Sequence, residues 1–166
     1  GPSSDVIRKM GDKDEARRTM QQAGVPVIAG SDILTDVESA KKTAEEIGYP
    51  LLLKARSGGG GRGIRLVEKE ECPAPSLKES VRREMYEAAR TAAKAVSYTT
   101  VGTVEFLLDA QDRFYFMEMN TRLQVEHSVT EMACGLDIVK WQIRTAAGLP
   151  ISIEEEDVQI TGHAIE

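Results

Sequence analysis

The sequence predicts an α/β (α+β) fold, and three observations carry that prediction. Strand-like runs come in pairs, 49–55 with 64–67 and 104–108 with 114–117. Each pair encloses a segment built for turning, glycine-rich in the first and acidic and polar in the second. Around the pairs lie segments whose apolar residues recur at helical spacing and which start and stop on capping residues.

In chain order, Asp12 supplies an N-cap and Gly24 a stop, framing a helix from Lys13. Lys13 falls in the first turn, where a cation opposes the helix dipole; a solvated surface lysine is the alternative reading. Residues 24–28 form a short β-branched run and predict a strand. Asp36 opens a helix through Ile47, with Val37, Ala40, Ala44 and Ile47 on one face and Gly48 as the stop. Residues 49–55 and 64–67 flank Ser57-Gly58-Gly59-Gly60-Gly61-Arg62-Gly63, which predicts a hairpin with a glycine tip. Cys72 to Pro75 is a proline-punctuated connection, and Ser76-Leu77-Lys78-Glu79 matches a capping box. The helix it opens buries Leu77, Val81, Met85, Ala88, Ala92 and Val96. Asp137 starts a helix carrying Ile138, Trp141 and Ala146, ended by Gly148-Leu149-Pro150, with Trp141 expected in the core. Residues 158–165 predict a final strand. No internal repeat interrupts this order.

The chemistry concentrates after the 114–117 run, in Glu118-Met119-Asn120-Thr121-Arg122-Leu123-Gln124-Val125-Glu126-His127. Residues two apart share a face of an extended chain, so Glu118, Asn120, Arg122, Gln124 and Glu126 are expected to line one surface. Met117, Met119 and Leu123 then face the other way. A turn of even length at Asp109-Ala110-Gln111-Asp112 puts Glu105 on the same face as Glu118. Two carboxylates and an amide oxygen suit Mg²⁺ or Mn²⁺, which take oxygen ligands and share them with nucleotide phosphates. Taken alone, Glu105 reads as an exposed acid; the whole stripe points to a site. His127 either orients Glu126 or caps a turn, and the capping role is favoured.

The glycine run leaves backbone N–H groups free to cradle phosphate. It has no Gly-Lys-Ser/Thr and no following helix, so it is neither a P-loop nor a dinucleotide fingerprint but a flap between strands. Lys54 interrupts an apolar strand beside the flap, as an edge residue or a phosphate contact.

These residues together resemble the biotin carboxylases, the ATP-grasp component of biotin-dependent carboxylases. The resemblance rests on the order Met-Gly-Asp-Lys, a strand-ending Lys, Ser-Gly-Gly-Gly-Gly-Arg-Gly, Gly-Thr-Val-Glu-Phe-Leu, and Phe-Met-Glu-Met-Asn-Thr-Arg-Leu-Gln-Val-Glu-His. Its most specific part is Arg122 to His127, and it runs along nearly the whole chain. The resemblance implies an ATP-grasp fold. It implies that Lys13, Lys54 and Gly58, Gly59, Gly60, Gly61 and Gly63 contact ATP, and that Glu105, Glu118 and Asn120 hold Mg²⁺ or Mn²⁺. Arg122, Gln124 and the Val125 backbone would hold bicarbonate, and Glu126 would be the base that activates it for attack on the γ-phosphate. Carboxyphosphate would then deliver CO₂ to biotin on a carrier protein, with Arg122 also steadying the biotin enolate. An arginine fork suits a planar oxyanion, and its charge would keep a neighbouring base ionised. The implied partners are the biotin carboxyl carrier protein, a carboxyltransferase and a second copy of the parent protein. Fatty-acid synthesis through acetyl-CoA is the preferred setting, in the cytoplasm.

The sequence departs from that family between Val67 and Glu70-Glu71-Cys72, where relatives insert a lid domain with adenine-recognising and basic residues. The expected organisation is 1–67 with the phosphate hairpin, 68–75 a junction in place of the lid, 76–150 the metal and bicarbonate half, and 151–166 the start of a truncated carboxy-terminal domain. Set against relatives, the sequence also reads as lacking the family's amino-terminal domain ahead of Gly1, and its carboxy-terminal domain stops shortly after Gly162-His163-Ala164, short of a portion that in relatives supplies another arginine near biotin. Two other readings follow: a lid-less fragment that only binds metal or nucleotide, and an ATP-grasp ligase joining a carboxylate to an amine. The Arg-Leu-Gln-Val-Glu-His run argues against the latter.

Composition is compatible with this. A 166-residue chain with 41% hydrophobic content can bury one sizeable core. A net charge of −6 with no basic stripe argues against nucleic acid, and no run is apolar enough to cross a membrane. No amino-terminal signal is visible. Cys72 and Cys134 lack metal or disulfide spacing and are expected as free thiols. Glu154-Glu155-Glu156-Asp157 is expected to be a solvated loop, and His163 structural.

Overall fold

The computed structural model describes residues 1–30, 36, 42–43, 45–46, 51–54, 64–67, 78–109, 111–154, 157–162 and 164, with the backbone alone at 51–54 and 64–67. The chain opens with two consecutive helices, α1 (Ser4–Gly11) and α2 (Lys13–Gln22). The first is not anticipated from the sequence, yet its ends are well made. Ser3 caps it through Val6, Asp5 lies in its first turn, and Arg8 and Lys9 lie in its last, matching the helix dipole. Asp12 is the hinge: its backbone N–H closes α1 onto the Arg8 carbonyl, and its Oδ1 accepts from Asp14 and Glu15 N–H at 3.0 and 3.1 Å to start α2. Arg8 spans the corner to Glu15 at 3.0 Å. Gly24, at φ +77°, ends α2 as expected.

The core lies between these helices, α3 (Glu79–Ala95) and one face of a hairpin of β3 (Thr103–Leu108) and β4 (Phe114–Asn120). The earlier strands, β1 (Leu51–Lys54) and β2 (Ile64–Val67), form an antiparallel hairpin of their own, with Lys54 opposite Ile64. Val6 and Met10 from α1, Ala16 and Met20 from α2, and Val81, Ala88 and Ala92 from α3 meet Phe114, Phe116 and Met119. Met20 is completely enclosed. Phe106 meets Phe114 and Phe116 edge-to-face, at 5.4 and 6.5 Å between ring centroids. Val27 adds a parallel bridge to Phe116, and Phe116 N–H donates to Pro26 at 2.7 Å; the strand expected at 24–28 is only this single bridge.

Register decides which side chains reach the site. Leu108 pairs with Phe114 and Phe106 with Phe116, but Glu105 pairs with Glu118, so Met117 is an extra residue in β4. Below the bulge, Phe114 and Phe116 are buried; above it, Met119 is. Strict alternation would have set Glu118 and Asn120 on the same face as Phe114 and Phe116, inside the core. The bulge shifts the alternation by one residue and releases both polar side chains to the other face.

The tip differs from the expected even turn. Five residues, 109–113, separate the paired Leu108 and Phe114. Asp109 organises them: its Oδ1 accepts from Gln111 and Arg113 N–H, both at 2.9 Å, and its Oδ2 from Arg113 Nε at 2.7 Å. Asp112 takes the left-handed conformation at φ 61° and pairs with Lys78, tying the tip to the start of α3. An odd connection alone would have separated Glu105 from Glu118; together with the bulge it leaves them opposed.

Other expectations need correction. The long helix begins at Glu79 with Lys78 as N-cap and no side-chain cap bond, so Glu79 does not close a capping box with Ser76. Its expected buried face holds at Val81, Ala88, Ala92 and Val96, with Met85 packed partly against them. After β4 come α4 (His127–Cys134) and α5 (Ile138–Ala146); Asp137 caps α5 through Lys140 N–H at 2.7 Å, as expected. Trp141 is not in the core: it is half-buried, lines a cavity of about 340 Å³ and carries the Arg144 guanidinium over its ring at 5.0 Å. No strand forms among the described residues of 158–165; Thr161 N–H instead reaches the Ala133 carbonyl at 2.9 Å. Residues 42–43 and 45–46 are helical, while the rest of the expected 36–47 helix apart from Asp36 lies outside the described residues, as do the glycine tip, Ser76, Leu77, Cys72 and His163. No described helix is long and apolar enough to cross a membrane.

Candidate metal and anion site on the second hairpin

Glu105 and Glu118 are direct cross-strand partners, on the face of the hairpin turned away from the phenylalanine core. Both are half-buried. Asn120, two residues beyond Glu118, donates from Nδ2 to Glu105 Oε1 at 2.6 Å, which leaves its own Oδ1 available as an acceptor or ligand. The Glu118 carboxylate makes no hydrogen bond or ion pair with the described residues. Like charges directly opposed across a β pair are destabilising, and here no described lysine or arginine neutralises them. The donors are all hard oxygens, as Mg²⁺ and Mn²⁺ require. Among the described residues no group of three or more His, Cys, Asp or Glu could hold an ion, so oxygens from outside this set, water included, would complete the shell.

The single polar stripe expected from Glu118 to Glu126 ends at Asn120, where β4 stops. The chain then turns: His127 N–H reaches the Gln124 carbonyl at 3.3 Å, Val129 N–H reaches the Glu126 carbonyl at 3.2 Å, and α4 begins. Arg122, Gln124 and Glu126 therefore lie in a turn and not along an alternating strand. Arg122 is exposed and donates to the Leu123 carbonyl at 3.2 Å; it forms no ion pair with Glu126 among the described residues. Glu126 occupies the N-cap of α4 without using its side chain as a cap, so its carboxylate stays uncommitted. Val125 is 77% exposed. His127 Nδ1 lies 2.8 Å from the Gln124 carbonyl and 3.1 Å from that of Val125. A carbonyl only accepts, so Nδ1 carries the proton and the imidazole pins the turn, the capping role favoured from sequence.

Lys13 is the first residue of α2, half-buried, and makes no ion pair with the described residues. Lys54 ends β1. Its side chain, and Gly58, Gly59, Gly60, Gly61 and Gly63, lie outside the described residues. The structure thus brings Glu105, Glu118 and Asn120 together, and strings Arg122, Gln124, Val125 and Glu126 along the turn that follows. Sequence reading missed the bulge at Met117 that makes this possible. Its one visible signal is that Phe114 and Phe116 fall at the same parity as Glu118 and Asn120, a conflict only an extra residue resolves.

The profile of the family described as "Carbamoyl-phosphate synthase L chain, ATP binding domain" matches residues 12–72 and 69–154. The chain belongs to this family. As a member, it is 41% identical to Biotin carboxylase 1 of Bacillus subtilis over an alignment of 234 positions, covering all of this chain and 52% of that protein. It is 37% identical to the biotin carboxylase of Haemophilus influenzae, with the same coverage. It therefore spans about half the length of the curated relatives it matches. Its structure superposes on a biotin carboxylase–β,γ-ATP complex from Campylobacter jejuni with a TM-score of 0.88 at 37% identity, over 98% of this chain and 51% of that one. It superposes on the biotin carboxylase domain dimer of the Hydrogenobacter thermophilus 2-oxoglutarate carboxylase, solved with MgADP, ADP and bicarbonate, with a TM-score of 0.86 at 37% identity, covering 98% and 51%. The fold of this family member is the core ATP-grasp fold of biotin carboxylase structures, as the sequence resemblance implies.

Proposed function

We propose that this chain is the ATP-grasp portion of a biotin carboxylase, which uses ATP to carboxylate carrier-bound biotin with bicarbonate through carboxyphosphate. The observation that carries this reading is the pair of opposed, uncompensated carboxylates, with Asn120 braced on Glu105 and an arginine–glutamate turn directly after. Glu105, Glu118 and Asn120 Oδ1 would hold Mg²⁺ or Mn²⁺, whose charge would neutralise the phosphate oxygens during transfer. Lys13, Lys54 and the glycines Gly58 to Gly61 and Gly63 would hold the ATP phosphates. Arg122 offers a planar fork for bicarbonate, Gln124 and the Val125 backbone complete the anion's hydrogen bonds, and the free Glu126 carboxylate takes its proton. His127 holds the carbonyls of that turn in place and leaves the anion-facing groups unspent.

The test is ADP formation that depends on bicarbonate and rises with free biotin, in wild type and Glu126→Gln. Loss of biotin-dependent turnover with retained nucleotide binding is expected; undiminished carboxylation in Glu126→Gln overturns the assignment of the base. In the parent protein the partners would be the biotin carboxyl carrier protein, a carboxyltransferase and a second copy, with acetyl-CoA carboxylation for fatty-acid synthesis in the cytoplasm as the preferred setting.

A second reading has its own support. The family profile matches in two blocks that meet at 69–72, and the relatives' alignments span 234 positions against 166 residues here. This pattern supports a chain without the lid at 68–75, one that folds and binds metal or nucleotide but does not turn over alone. Metal binding without ADP formation by the isolated chain separates this reading from the first.

A further inference from the structure

Gly102 lies immediately before β3, and its φ is not in the left-handed region. It is therefore not needed for backbone freedom. The space explains it: a Cβ at this position would sit 2.9 Å from the Asn120 carbonyl oxygen, 2.9 Å from Tyr98 Cε1 and 2.9 Å from Tyr98 Oη. Two of these neighbours cannot move away cheaply. The Asn120 carbonyl belongs to β4, where Asn120 is the register partner of Thr103. The Tyr98 ring packs partly against the core, and its hydroxyl donates to the Val101 carbonyl at 2.7 Å. Tyr98 is itself anchored by its backbone N–H, which reaches the Ala93 carbonyl at the end of α3 at 2.9 Å.

These contacts form one continuous path. The end of α3 holds Tyr98; the Tyr98 hydroxyl holds the Val101 carbonyl; the bare Gly102 lets that segment abut the Asn120 backbone. Asn120 then places its amide on Glu105, the residue facing Glu118. Beyond Asn120 there is no further β4 ladder to hold this end of the strand. Tyr98 and Gly102 supply the missing constraint from the other side.

We infer that Tyr98 and Gly102 are positioning residues that set the spacing of the Glu105–Glu118–Asn120 oxygen cluster for a divalent cation. The inference rests on the metal reading proposed above and adds two residues that touch none of the reacting groups. Supporting groups around metal ligands commonly matter by about 10–100-fold in affinity when removed, because ligand orientation is lost before the fold is. Gly102→Ala pushes the Asn120 carbonyl and Tyr98 apart. Tyr98→Phe removes only the hydroxyl that holds Val101, with no added bulk.

The experiment is a titration of the isotope-labelled chain with Mn²⁺ alone, reading paramagnetic broadening of the amides of residues 103–106 and 117–120, with melting temperature measured in parallel. Met20→Ala, a core change on α2 outside the Tyr98–Gly102–Asn120 path, controls for lost stability. Local broadening in wild type, about tenfold weaker Mn²⁺ affinity in Gly102→Ala and a smaller loss in Tyr98→Phe, with Met20→Ala unchanged in affinity, is the expected result. Weakening by Glu118→Gln but by neither Gly102→Ala nor Tyr98→Phe overturns the positioning role and leaves the metal site standing. Equal weakening in Met20→Ala overturns it too, by reducing the effect to general destabilisation. Absence of local broadening in wild type, or indifference to Glu118→Gln, overturns the metal reading itself.

Discussion

Replacing Glu118 by Gln should stabilise the metal-free protein, the opposite of what most substitutions of half-buried residues do. Glu118 and Glu105 are direct register partners, and no described cation compensates them. Directly opposed Cβ atoms lie about 4.5–5.5 Å apart in such pairs. Two charges about 6 Å apart at an effective dielectric of about 40–80 repel by roughly 0.7–1.4 kcal/mol. Glutamine keeps the shape and removes the charge, while the Asn120–Glu105 bond is untouched. A gain of about 0.5–1 kcal/mol is expected, which at this chain length is a rise in melting temperature of about 1–4 °C. Mn²⁺ should reverse the order. At ten times its dissociation constant a bound ion adds about 1.4 kcal/mol to the state that binds it, and wild type then overtakes the mutant. Thermal melts by circular dichroism in EDTA and in Mn²⁺ read both effects. A lower melting temperature for Glu118→Gln in EDTA, or an equal Mn²⁺ shift in both proteins, refutes the argument from opposed charges.

Three further expectations follow from other parts of the fold. Met20→Ala empties the one fully enclosed large side-chain site among the described residues and should cost about 2–5 kcal/mol in urea unfolding. The Asp109 carboxyl feels desolvation pushing it up, but the Arg113 N–H, the Arg113 side chain, the Gln111 N–H and the Arg113 charge together hold it below its ordinary 3.8. A depressed carboxylate contributes stability that is present above its unfolded value and lost as pH falls through its folded value, so the hairpin tip should loosen only in acid. A carboxyl-carbon NMR titration midpoint for Asp109 at or above 3.8 contradicts this. Neutral His127 should carry its proton on Nδ1, since that atom faces two carbonyls; long-range ¹⁵N–¹H spectra showing a predominant Nε2–H form would remove the imidazole from the turn.

Much of the architecture was legible because it depends on local chemistry. Asp12 announces α2, and Gly24 ends it, by capping rules that need no tertiary information. The buried face of α3 is likewise visible in the spacing of Val81, Ala88, Ala92 and Val96. What failed depended on distance. The Glu105–Glu118 pairing was expected for the wrong reason: an even turn was assumed, while an odd connection and a bulge produce the same face by cancelling one another. The polar stripe was extended past Asn120 because alternation carries no mark of where a strand ends; the turn at Gln124–His127 is held by an imidazole whose bonds are made only once the chain has bent. The expected strand at 158–165 had suitable residues but no described partner strand, and β-propensity without a partner decides little. Ser76 matched a capping box, yet the helix starts at Glu79 beside Lys78, whose side chain is drawn to Asp112 in the hairpin tip. Such a long-range tie is invisible to a four-residue motif.

The bulge at Met117 insulates the acids from events at the tip. Since the pairing of Leu108 with Phe114 starts below it, residues inserted between them would lengthen the loop without rotating the cluster. Deleting Met117 would spare the cluster as well: Glu118 would follow Phe116 directly and alternate away from the core, still opposite Glu105 in an unbroken ladder. Keeping Met117 but pairing it regularly with Glu105 would do the reverse, turning Glu118 and Asn120 inward against the phenylalanines and Met119 outward. The ligand set therefore depends on Met117 staying unpaired, and not on how many residues the loop contains.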